Sequence, residues 1–460
     1  MPTSPALNMR TILRTWWPLA ASWVLMGAEL PALSAVLARL PAPEVHLAAY
    51  GGVVYSLALI IEAPIIMLLA ASTALSEDWH AYVKIRRVMM VAGAGLTALH
   101  LVLACSPLYY VVVKQVLGVP AEIVEPARLG LVIMTPWTWS IAYRRFNQGV
   151  LIRFGHARVV GLGTVVRLTV DGMVLAAGYL AGTIPGVAVG SGAVAAGVVS
   201  EALYTGLRVK PVLRYQLRPA VANGPPLTYR AFFAFYIPLV LTAFLSLVAQ
   251  PTISAALSRM PGALPSLATW PVLSGLIFVL RGLGIAYNEV VVALLDEPVA
   301  SRALARFTIA LATLTALTMA VVAGTPLAGF WFGVVSALPA RLAELAQVGL
   351  WLALSLPSLS VLQSWYQGLI LHSRHTRGVS EAVVIYLLSM SGVLFAGVAW
   401  GGMPGLYVAV AAMVLSSLAQ VGWLWYRSRP AWQVVRARDA ASPLSGSPSP
   451  VASFDPPRAS

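Results

Sequence analysis

Twelve apolar runs, each long enough to cross a lipid bilayer as a helix, constrain the fold of this chain more than any other feature. A spanning helix needs about 20 predominantly apolar residues. The runs cover residues 16–38, 47–75, 87–113, 128–152, 157–182, 186–207, 231–256, 266–294, 303–324, 341–371, 376–400 and 404–426. Charged residues make up only 10% of the 460 residues, against about 25% in soluble proteins. We therefore predict an all-α integral membrane protein with 12 transmembrane helices.

The charges that remain are distributed unequally between the two sides of this predicted bundle. Lys and Arg number 30 and Asp and Glu 16, which gives a net charge of +14. Most of the basic residues fall in the terminal segments and in the even-numbered connections between spans. Because cytoplasmic segments of membrane proteins are enriched in Lys and Arg, we expect a cell (inner or plasma) membrane protein with both termini in the cytoplasm. Nucleic acid is not an expected partner, since no soluble domain with a basic face is available.

A basic segment divides the spans into two sets of six. This segment, residues 208–230, contains the turn-forming sequence Asn223-Gly224-Pro225-Pro226. The predicted units are a bundle at 1–207, a cytoplasmic linker at 208–230 and a second bundle at 231–428. A tail at 429–460, rich in Ser, Pro and Ala, is predicted to be disordered and cytoplasmic.

The two halves are copies of one another. A shift of 220 pairs Pro18 with Pro238, Pro31 with Pro251 and Arg39 with Arg259, and a shift of 219 pairs Pro120 with Pro339, Gln148-Gly149 with Gln367-Gly368 and Arg158 with Arg377. Six spans per copy is an even number, so both copies enter the membrane in the same direction and are related by a pseudo-two-fold axis along the membrane normal. Two such bundles enclose a central cavity, and rocking them alternates its access. This is the architecture of a transporter.

Two stretches of the chain are similar to known families. Residues 117–158 resemble the loop and fourth helix of the multidrug/oligosaccharidyl-lipid/polysaccharide (MOP) exporter superfamily, which includes the multidrug and toxic compound extrusion (MATE) transporters. Leu47-Ala48-Ala49-Tyr50-Gly51, followed by Tyr55-Ser56-Leu57, resembles a motif of the progressive ankylosis (ANK) family, with one more residue between the two pieces here. Val91-Ala92-Gly93-Ala94, His100, Ala104, Ser106, Leu108 and Tyr110 match that family's third helix at identical spacing.

The second resemblance implies a distant, prokaryotic relative of the ANK family. That family is associated with cellular export of pyrophosphate, nucleotide triphosphate and citrate, so the resemblance implies small anions as substrates. One departure is that the vertebrate family has an acidic tail, whereas the tail of this chain is basic and polar.

Charged residues inside the spans need a specific explanation, because each costs about 2.5–3.5 kcal/mol at mid-membrane even on the insertion scale. Glu29 and Glu62 each lie two residues before a proline, Pro31 and Pro64. Glu29 lines the cavity or reaches the outer interface. Glu62 is functional or belongs to a buried ion pair. The repeat aligns Arg281 with the neighbourhood of Glu62, so Arg281 either pairs with Glu62 or binds an anion through its guanidinium fork.

Other polar residues within the spans have both functional and structural interpretations. Arg144 and Arg145 point about 100° apart on one helix, so at most one faces the cavity squarely, and both are near enough to the cytoplasmic end to snorkel. Arg167 and Asp171 are spaced to pair on one helical face. Asn288 and Glu289 lie near an inner helix end, where water solvates them, and His100 either titrates near pH 6.5 or bonds to a neighbouring helix.

These considerations give a set of candidate site residues. We assign substrate binding to Arg281, Arg144, Arg145, Tyr55 and Asn288, and ion coupling to Glu62, Glu29, Glu289, Asp171 and His100. The sequence has no phosphate-binding glycine loop, catalytic triad or cluster of metal ligands, and we predict no enzymatic activity, no cofactor and no metal. We also expect a monomer.

The predicted function is secondary active export of small organic or phosphate-bearing anions, such as citrate, nucleotide or pyrophosphate-like compounds, by alternating access. The partners would be an anionic substrate, a coupling proton or cation and the lipid bilayer. Three alternatives remain: a proton- or sodium-coupled multidrug antiporter, a lipid-linked flippase, and a membrane scaffold or receptor that transports nothing.

Overall fold

Every regular element is helical in the computed structural model, which describes residues 7–220, 226–297, 300–373 and 377–440. The first half of the chain forms α1 (Met9–Gly27), α2 (Glu29–Leu37), α3 (Pro43–Ala48), α4 (Tyr55–Ile66), α5 (Leu68–Leu75), α6 (Trp79–Cys105), α7 (Leu108–Tyr110), α8 (Ala121–Ile133), α9 (Thr135–Arg153), α10 (Ala157–Ala181) and α11 (Gly186–Val212). The second half forms α12 (Tyr229–Leu247), α13 (Ala249–Leu257), α14 (Ala263–Ile285), α15 (Tyr287–Leu294), α16 (Ala300–Gly324), α17 (Pro326–Gly329), α18 (Ala340–Leu352), α19 (Leu356–His372), α20 (Arg377–Trp400) and α21 (Gly405–Ala440). Four π-helical segments are Ala49–Val54, Val111–Leu117, Leu213–Leu217 and Phe330–Val335.

The lengths and composition of these helices confirm the predicted all-α membrane protein. Within the described ranges, 10 helical rods are long and apolar enough to cross a membrane, and an eleventh is the pair α18 and α19, which is bent by 41°. The predicted span 128–152 is helical in α8 and α9. It is less apolar than the others because Arg144 and Arg145 lie in the middle of α9.

The first rod of each half breaks at an equivalent position. Helix α1 gives way to α2 at Ala28, and α12 gives way to α13 at Val248, which is 220 residues later. The prolines Pro31 and Pro251 cause both breaks, because neither has an N–H to donate to the carbonyl group four residues earlier. The repeat seen in the sequence is therefore present in the backbone.

Two predicted boundaries differ from the structure. The span predicted at 87–113 ends at Cys105, because Pro107 cannot continue the helical hydrogen bonding, and a short helix, α7, begins at Leu108. The linker predicted at 208–230 is partly helical, since α11 continues to Val212 and a π-helical segment to Leu217. The predicted turn beginning at Asn223 lies mostly outside the described residues, and the division into two bundles at this segment stays a prediction.

The prediction of disorder from residue 429 is wrong for the first part of the tail. Helix α21 extends to Ala440 because this segment packs against the second half. Trp432 makes an edge contact with Trp365 at 5.3 Å between ring centroids, and Asp439 Oδ2 accepts a hydrogen bond from the backbone N–H of Ser301 at 2.8 Å. Residues 441–460 lie outside the described part of the chain.

The first helix of each half packs against the other half. Helix α1 packs against α14, α15 and α16 of the second half, and α12 packs against α4 of the first half. Trp16 Nε1 donates a hydrogen bond to the carbonyl oxygen of Leu283 at 3.0 Å, and the Tyr236 hydroxyl donates to that of Pro64. Trp16 is equivalent to Tyr236 in the repeat, and Pro64 is equivalent to Leu283. The two halves are therefore joined by a pair of symmetry-related hydrogen bonds.

The repeated Gln-Gly pair serves close helix packing. A Cβ atom placed on Gly149 of α9 would lie 2.5 Å from the carbonyl oxygen of Leu69 and 2.6 Å from Cβ of Ser72, both on α5. A Cβ atom on the equivalent Gly368 would lie 2.6 Å from Cγ1 of Val291. Only glycine permits these distances.

We predict that Gly149→Ala destabilises the protein by about 2 kcal/mol, because the added methyl group must push α5 away from α9. The measurement is the midpoint of thermal denaturation in detergent. Gly161→Ala is the matched control, since a Cβ atom at Gly161 of α10 meets nothing within 4 Å. An equal midpoint for the two variants would contradict this explanation of the motif.

Candidate functional site

A cavity of about 570 Å³ lies between the two halves. Its ionisable side chains are Glu29 at the start of α2, Glu62 on α4, Arg144 and Arg145 on α9, Arg167 on α10 and Arg281 on α14. Tyr55, Gln363, Tyr386 and Gln420 also line it. Most of the candidate residues chosen from the sequence therefore line this one cavity, although they are far apart in the chain. Glu29 is the first residue of α2, directly after the break at Ala28.

The first-half wall of the cavity contains a buried ion pair. Arg144 Nη1 donates to Oε2 of Glu201 on α11, and both side chains are buried. Gln148 Nε2 donates to the other oxygen of Glu201 at 2.9 Å. Arg144 therefore does not snorkel to the membrane surface, because a carboxylate is available to it within the bundle.

Arg167 extends this pair into a network. Its Nη2 lies 2.8 Å from Oε2 of Glu29, and its Nε lies 3.6 Å from Oε2 of Glu201. The expected pair with Asp171 on the same helical face does not form, since Glu29 and Glu201 occupy the guanidinium from other helices. The network joins α2, α9, α10 and α11 around one arginine.

Asp171 lies beside this network. Neither carboxyl oxygen of Asp171 has a hydrogen-bond partner among the described residues. Gly197 of α11 leaves the room for Asp171, since a Cβ atom there would overlap its Oδ1.

Two cavity arginines have no carboxylate partner. Within the described residues neither Arg145 nor Arg281 forms an ion pair, and the buried Nε of each has no hydrogen-bond acceptor. The alternative pairing of Arg281 with Glu62 is not formed. Glu62 is buried, with a relative exposure of 4%, and makes no ion pair either. The cavity therefore contains two guanidinium groups that form no ion pair within the described residues.

The network of the first half has an uncharged copy in the second. A shift of 219 places Gln363 at the position of Arg144, Tyr386 at that of Arg167 and Gln420 at that of Glu201. All three copies line the cavity. At these three positions, charged side chains of the first half thus correspond to neutral hydrogen-bonding groups of the second half, whose wall also contains Arg281.

Four candidate residues do not line the cavity, and Asp171, beside the network of Arg167, is one of them. His100 is fully buried, with Nδ1 2.8 Å from Oγ1 of Thr138 and Nε2 2.9 Å from the carbonyl oxygen of Leu131, so it joins α6 to α8 and α9. Asn288 Nδ2 donates to the carbonyl oxygen of Ser364 at 3.2 Å. Glu289 is exposed. The contacts of His100 and Asn288 hold helices together, whereas Glu289 is exposed near a helix end.

Sequence reasoning overlooked Glu201. The signal was available, because Glu201 is a carboxylate within the predicted span 186–207, as Glu62 is within 47–75. The roles of Gln363 and Gln420 had no such signal, since neutral amides are common at helix–helix contacts. Among the described residues, no group of three or more His, Cys, Asp or Glu side chains is arranged to hold a metal ion.

Comparison with known proteins identifies the fold. No protein-family model and no curated protein sequence matches this chain. An inward-facing MATE family transporter of the MOP superfamily is similar with a TM-score of 0.64 at 13% identity, over 95% of this chain and 97% of that one. A MOP superfamily transporter from Pyrococcus furiosus is similar with a TM-score of 0.61 at 15% identity, over 94% and 100%.

A third similar structure is the lipid II flippase MurJ in an inward closed conformation, with a TM-score of 0.57 at 14% identity, over 90% of each chain. At these identities the comparisons establish the fold, which is that of the MATE transporters. The predicted fold class is confirmed, and the resemblance to the ANK family stays a prediction.

We predict that Glu201→Gln destabilises the protein by about 3 kcal/mol, because Arg144 would remain buried without its ion pair. The double variant Arg144→Gln/Glu201→Gln should recover part of this loss, since no unpaired charge remains. The measurement is thermal denaturation in detergent.

Glu77→Gln is the matched control, because it removes an ion pair, 3.1 Å from Arg153, in which Glu77 is half exposed. It should cost less than about 1 kcal/mol. Equal effects of the two glutamine variants would show that Glu201 does not neutralise Arg144.

Proposed function

We propose that this protein is a secondary active exporter of small organic or phosphate-bearing anions, such as citrate, nucleotide or pyrophosphate-like compounds. Its fold is that of the MATE transporters, which supports transport by alternating access of a central cavity. The charge of the cavity supports an anion as the substrate. We also propose that the protein works as a monomer in the cell membrane, with both termini in the cytoplasm.

The observation that carries the proposal is the pair of arginines without partners. A guanidinium group inside a membrane is costly unless an anion or water neutralises or solvates it. Arg144 and Arg167 form ion pairs with Glu201 and Glu29, whereas Arg145 and Arg281 line the same cavity and form no ion pair within the described residues. A guanidinium fork matches the oxygens of carboxylate and phosphate groups. A small anion is the partner that these two arginines lack.

The position of the two arginines relates binding to conformation. Arg145 belongs to the first half and Arg281 to the second. An anion that contacts both bridges the halves, and its affinity therefore depends on how the halves are placed. A ligand that binds one arrangement better than another shifts the equilibrium between them. Polar groups of the second-half wall, Gln363 and Gln420, would complete the recognition of such an anion.

The carboxyl groups of the cavity provide candidates for coupling. We propose Glu62, or Glu29 together with Asp171, as the group that takes up a proton or cation. Protonation of Glu62 removes a negative charge from the cavity and so strengthens anion binding, and by linkage a bound anion strengthens protonation to the same degree. Binding of anion and proton should therefore be cooperative, and the two would cross the membrane together. Because a multivalent anion with one proton stays negatively charged, a membrane potential that is negative inside would drive the pair out of the cell.

Arg281→Gln should lower the rate of anion efflux from proteoliposomes at subsaturating substrate by about tenfold to a hundredfold, because charge-assisted hydrogen bonds are lost. The substrates to test are citrate, ATP and pyrophosphate. Arg306→Gln is the control, since it removes the same charge from an exposed site on α16. Unchanged efflux of all three anions by Arg281→Gln would refute the assigned role.

Glu62→Gln mimics the protonated carboxyl group, and we predict that it binds the anion at least as tightly as the wild type does. The affinity should also depend less on pH, because one coupled proton has been removed. The measurement is titration of the anion by calorimetry from about pH 5.5 to about pH 8. Glu289→Gln, at an exposed carboxyl group, should keep the pH dependence of the wild type. Weaker binding by Glu62→Gln would contradict the cooperative scheme.

A lipid-linked flippase is the second candidate function, and one feature of the structure favours it. A groove of about 440 Å³ is lined by α12, α20 and α21, and Val383 of α20 lines both this groove and the central cavity. The groove would give a lipid tail a place beside a head group bound to the arginines. If that is the function, soluble anions should not leave proteoliposomes, whereas a fluorescent lipid diphosphate should cross the bilayer.

A cation-coupled multidrug antiporter makes the opposite prediction for the cavity. Ethidium efflux would then disappear in Glu62→Gln and survive in Arg281→Gln. The same set of variants thus distinguishes anion export from this alternative.

A further inference from the structure

Two exposed arginines, related by the repeat, bind backbone carbonyl groups of the opposite half. Arg39 follows α2, and Arg259 follows α13, 220 residues later. Arg39 Nη1 donates to the carbonyl oxygen of Val335 at 3.0 Å, and Nη2 donates to that of Val334 at 2.7 Å. In the equivalent place, Arg259 donates to the last three carbonyl oxygens of the segment Val111–Leu117, with the following contacts: Gln115 at 3.1 Å, Val116 at 2.6 Å and Leu117 at 2.9 Å.

Both arginines bind the carboxyl end of a short helix. The carbonyl groups there have no helical N–H partner and form the negative end of the helix dipole. The segment Val111–Leu117 ends because Gly118 is left-handed, with φ of 68°, and Ala337 is left-handed just after the segment Phe330–Val335, with φ of 50°. These turns leave the carbonyl groups pointing outward, where a guanidinium fork can reach several at once. A Cβ atom on Gly118 would lie 3.3 Å from Cζ of Arg259.

These contacts lie on the face of the protein remote from the described chain ends. Arg39 is at the far end of the first rod from Asn8, whereas Ile12 packs in one cluster with Val435 near the other end of the chain. Each arginine also donates to its own half, to Ala35 and Ala255, both at 2.7 Å. On this face each arginine therefore spans the seam between the halves.

We propose that Arg39 and Arg259 form a two-part latch, which holds this face closed and must release before the central cavity can open there. The inference rests on the proposed transport function, since a latch matters only if the halves move. Both arginines are exposed, so water can replace each carbonyl group and the latch is reversible. Because the two contacts are independent, the loss of one should loosen the face and the loss of both should open it.

The inside of the same seam has a further contact between the halves. Ser56 Oγ lies 2.9 Å from Ser254 Oγ, and both side chains are buried. This hydrogen bond is weaker than the charged contacts of the arginines, and it is shielded from water as long as the latch is closed. The latch would thus control access to a small polar seam.

The test measures the distance between the halves on this face. Nitroxide labels at Leu108→Cys and Leu327→Cys, in a Cys105→Ser background and in lipid nanodiscs, report it by double electron–electron resonance. Leu108 and Leu327 are exposed. They lie at the start of the two short helical stretches whose last carbonyl groups bind Arg259 and Arg39. The double variant Arg39→Gln/Arg259→Gln should raise the ratio of long to short distances by about tenfold, and each single variant should give an intermediate ratio.

Arg153→Gln is the matched control. Arg153 also binds carbonyl groups near a helix end, those of Thr73 at 2.9 Å and Ala74 at 2.8 Å, but within its own half and on neither labelled helix. Its loss should leave the distances unchanged.

A wild-type distribution in the double variant, or in both single variants if the double variant does not fold, would overturn the latch. The same holds if Arg153→Gln separates the labels as much as the double variant does. The measurement contains no substrate, so its outcome is separate from that of the transport assays. Labels that separate in a protein that moves no anion would leave the latch standing and refute the proposed function.

Discussion

A guanidinium group inside a membrane-spanning bundle needs an anion or water beside it, and this requirement organises the centre of the protein. Arg144 is satisfied by Glu201 and Arg167 by Glu29, and in satisfying them the chain joins four helices of the first half into one wall. Arg145 and Arg281 face the same cavity without such partners. The same requirement is the basis of our proposal that an anion binds between the two walls.

The residues that join the two halves follow the symmetry of the repeat, whereas the charged residues of the cavity do not. Trp16 and Tyr236 make equivalent hydrogen bonds across the interface, and so do Arg39 and Arg259. In the cavity the two halves differ in charge, because the repeat aligns Arg281 of the second half with Glu62 of the first. Joining two similar bundles requires the same contacts on both sides, whereas binding an asymmetric ligand and a coupling ion requires different groups on each.

The sequence predicted those features that depend on local composition or on the repeat. Apolar runs predicted the helices, and Pro31 marks the place where α1 gives way to α2, at Glu29. The pairing of Arg144 with Glu201 was missed, because it depends on how α9 packs against α11. Asn288 was assigned to the site, but its side chain donates to the carbonyl oxygen of Ser364, a contact that depends on how α15 packs against α19. The helix beyond residue 429 depends on contacts such as that of Trp432 with Trp365, which composition does not reveal.

The sign of the charge that the cavity prefers is the central claim, and the stability of the purified protein in the presence of ligands tests it most directly. A ligand that binds only the folded state raises the midpoint of thermal denaturation. Citrate, ATP or pyrophosphate should raise the midpoint of the wild type, and the increase should be lost in Arg281→Gln. An increase with ethidium or tetraphenylphosphonium, and none with any of the three anions, would contradict the account.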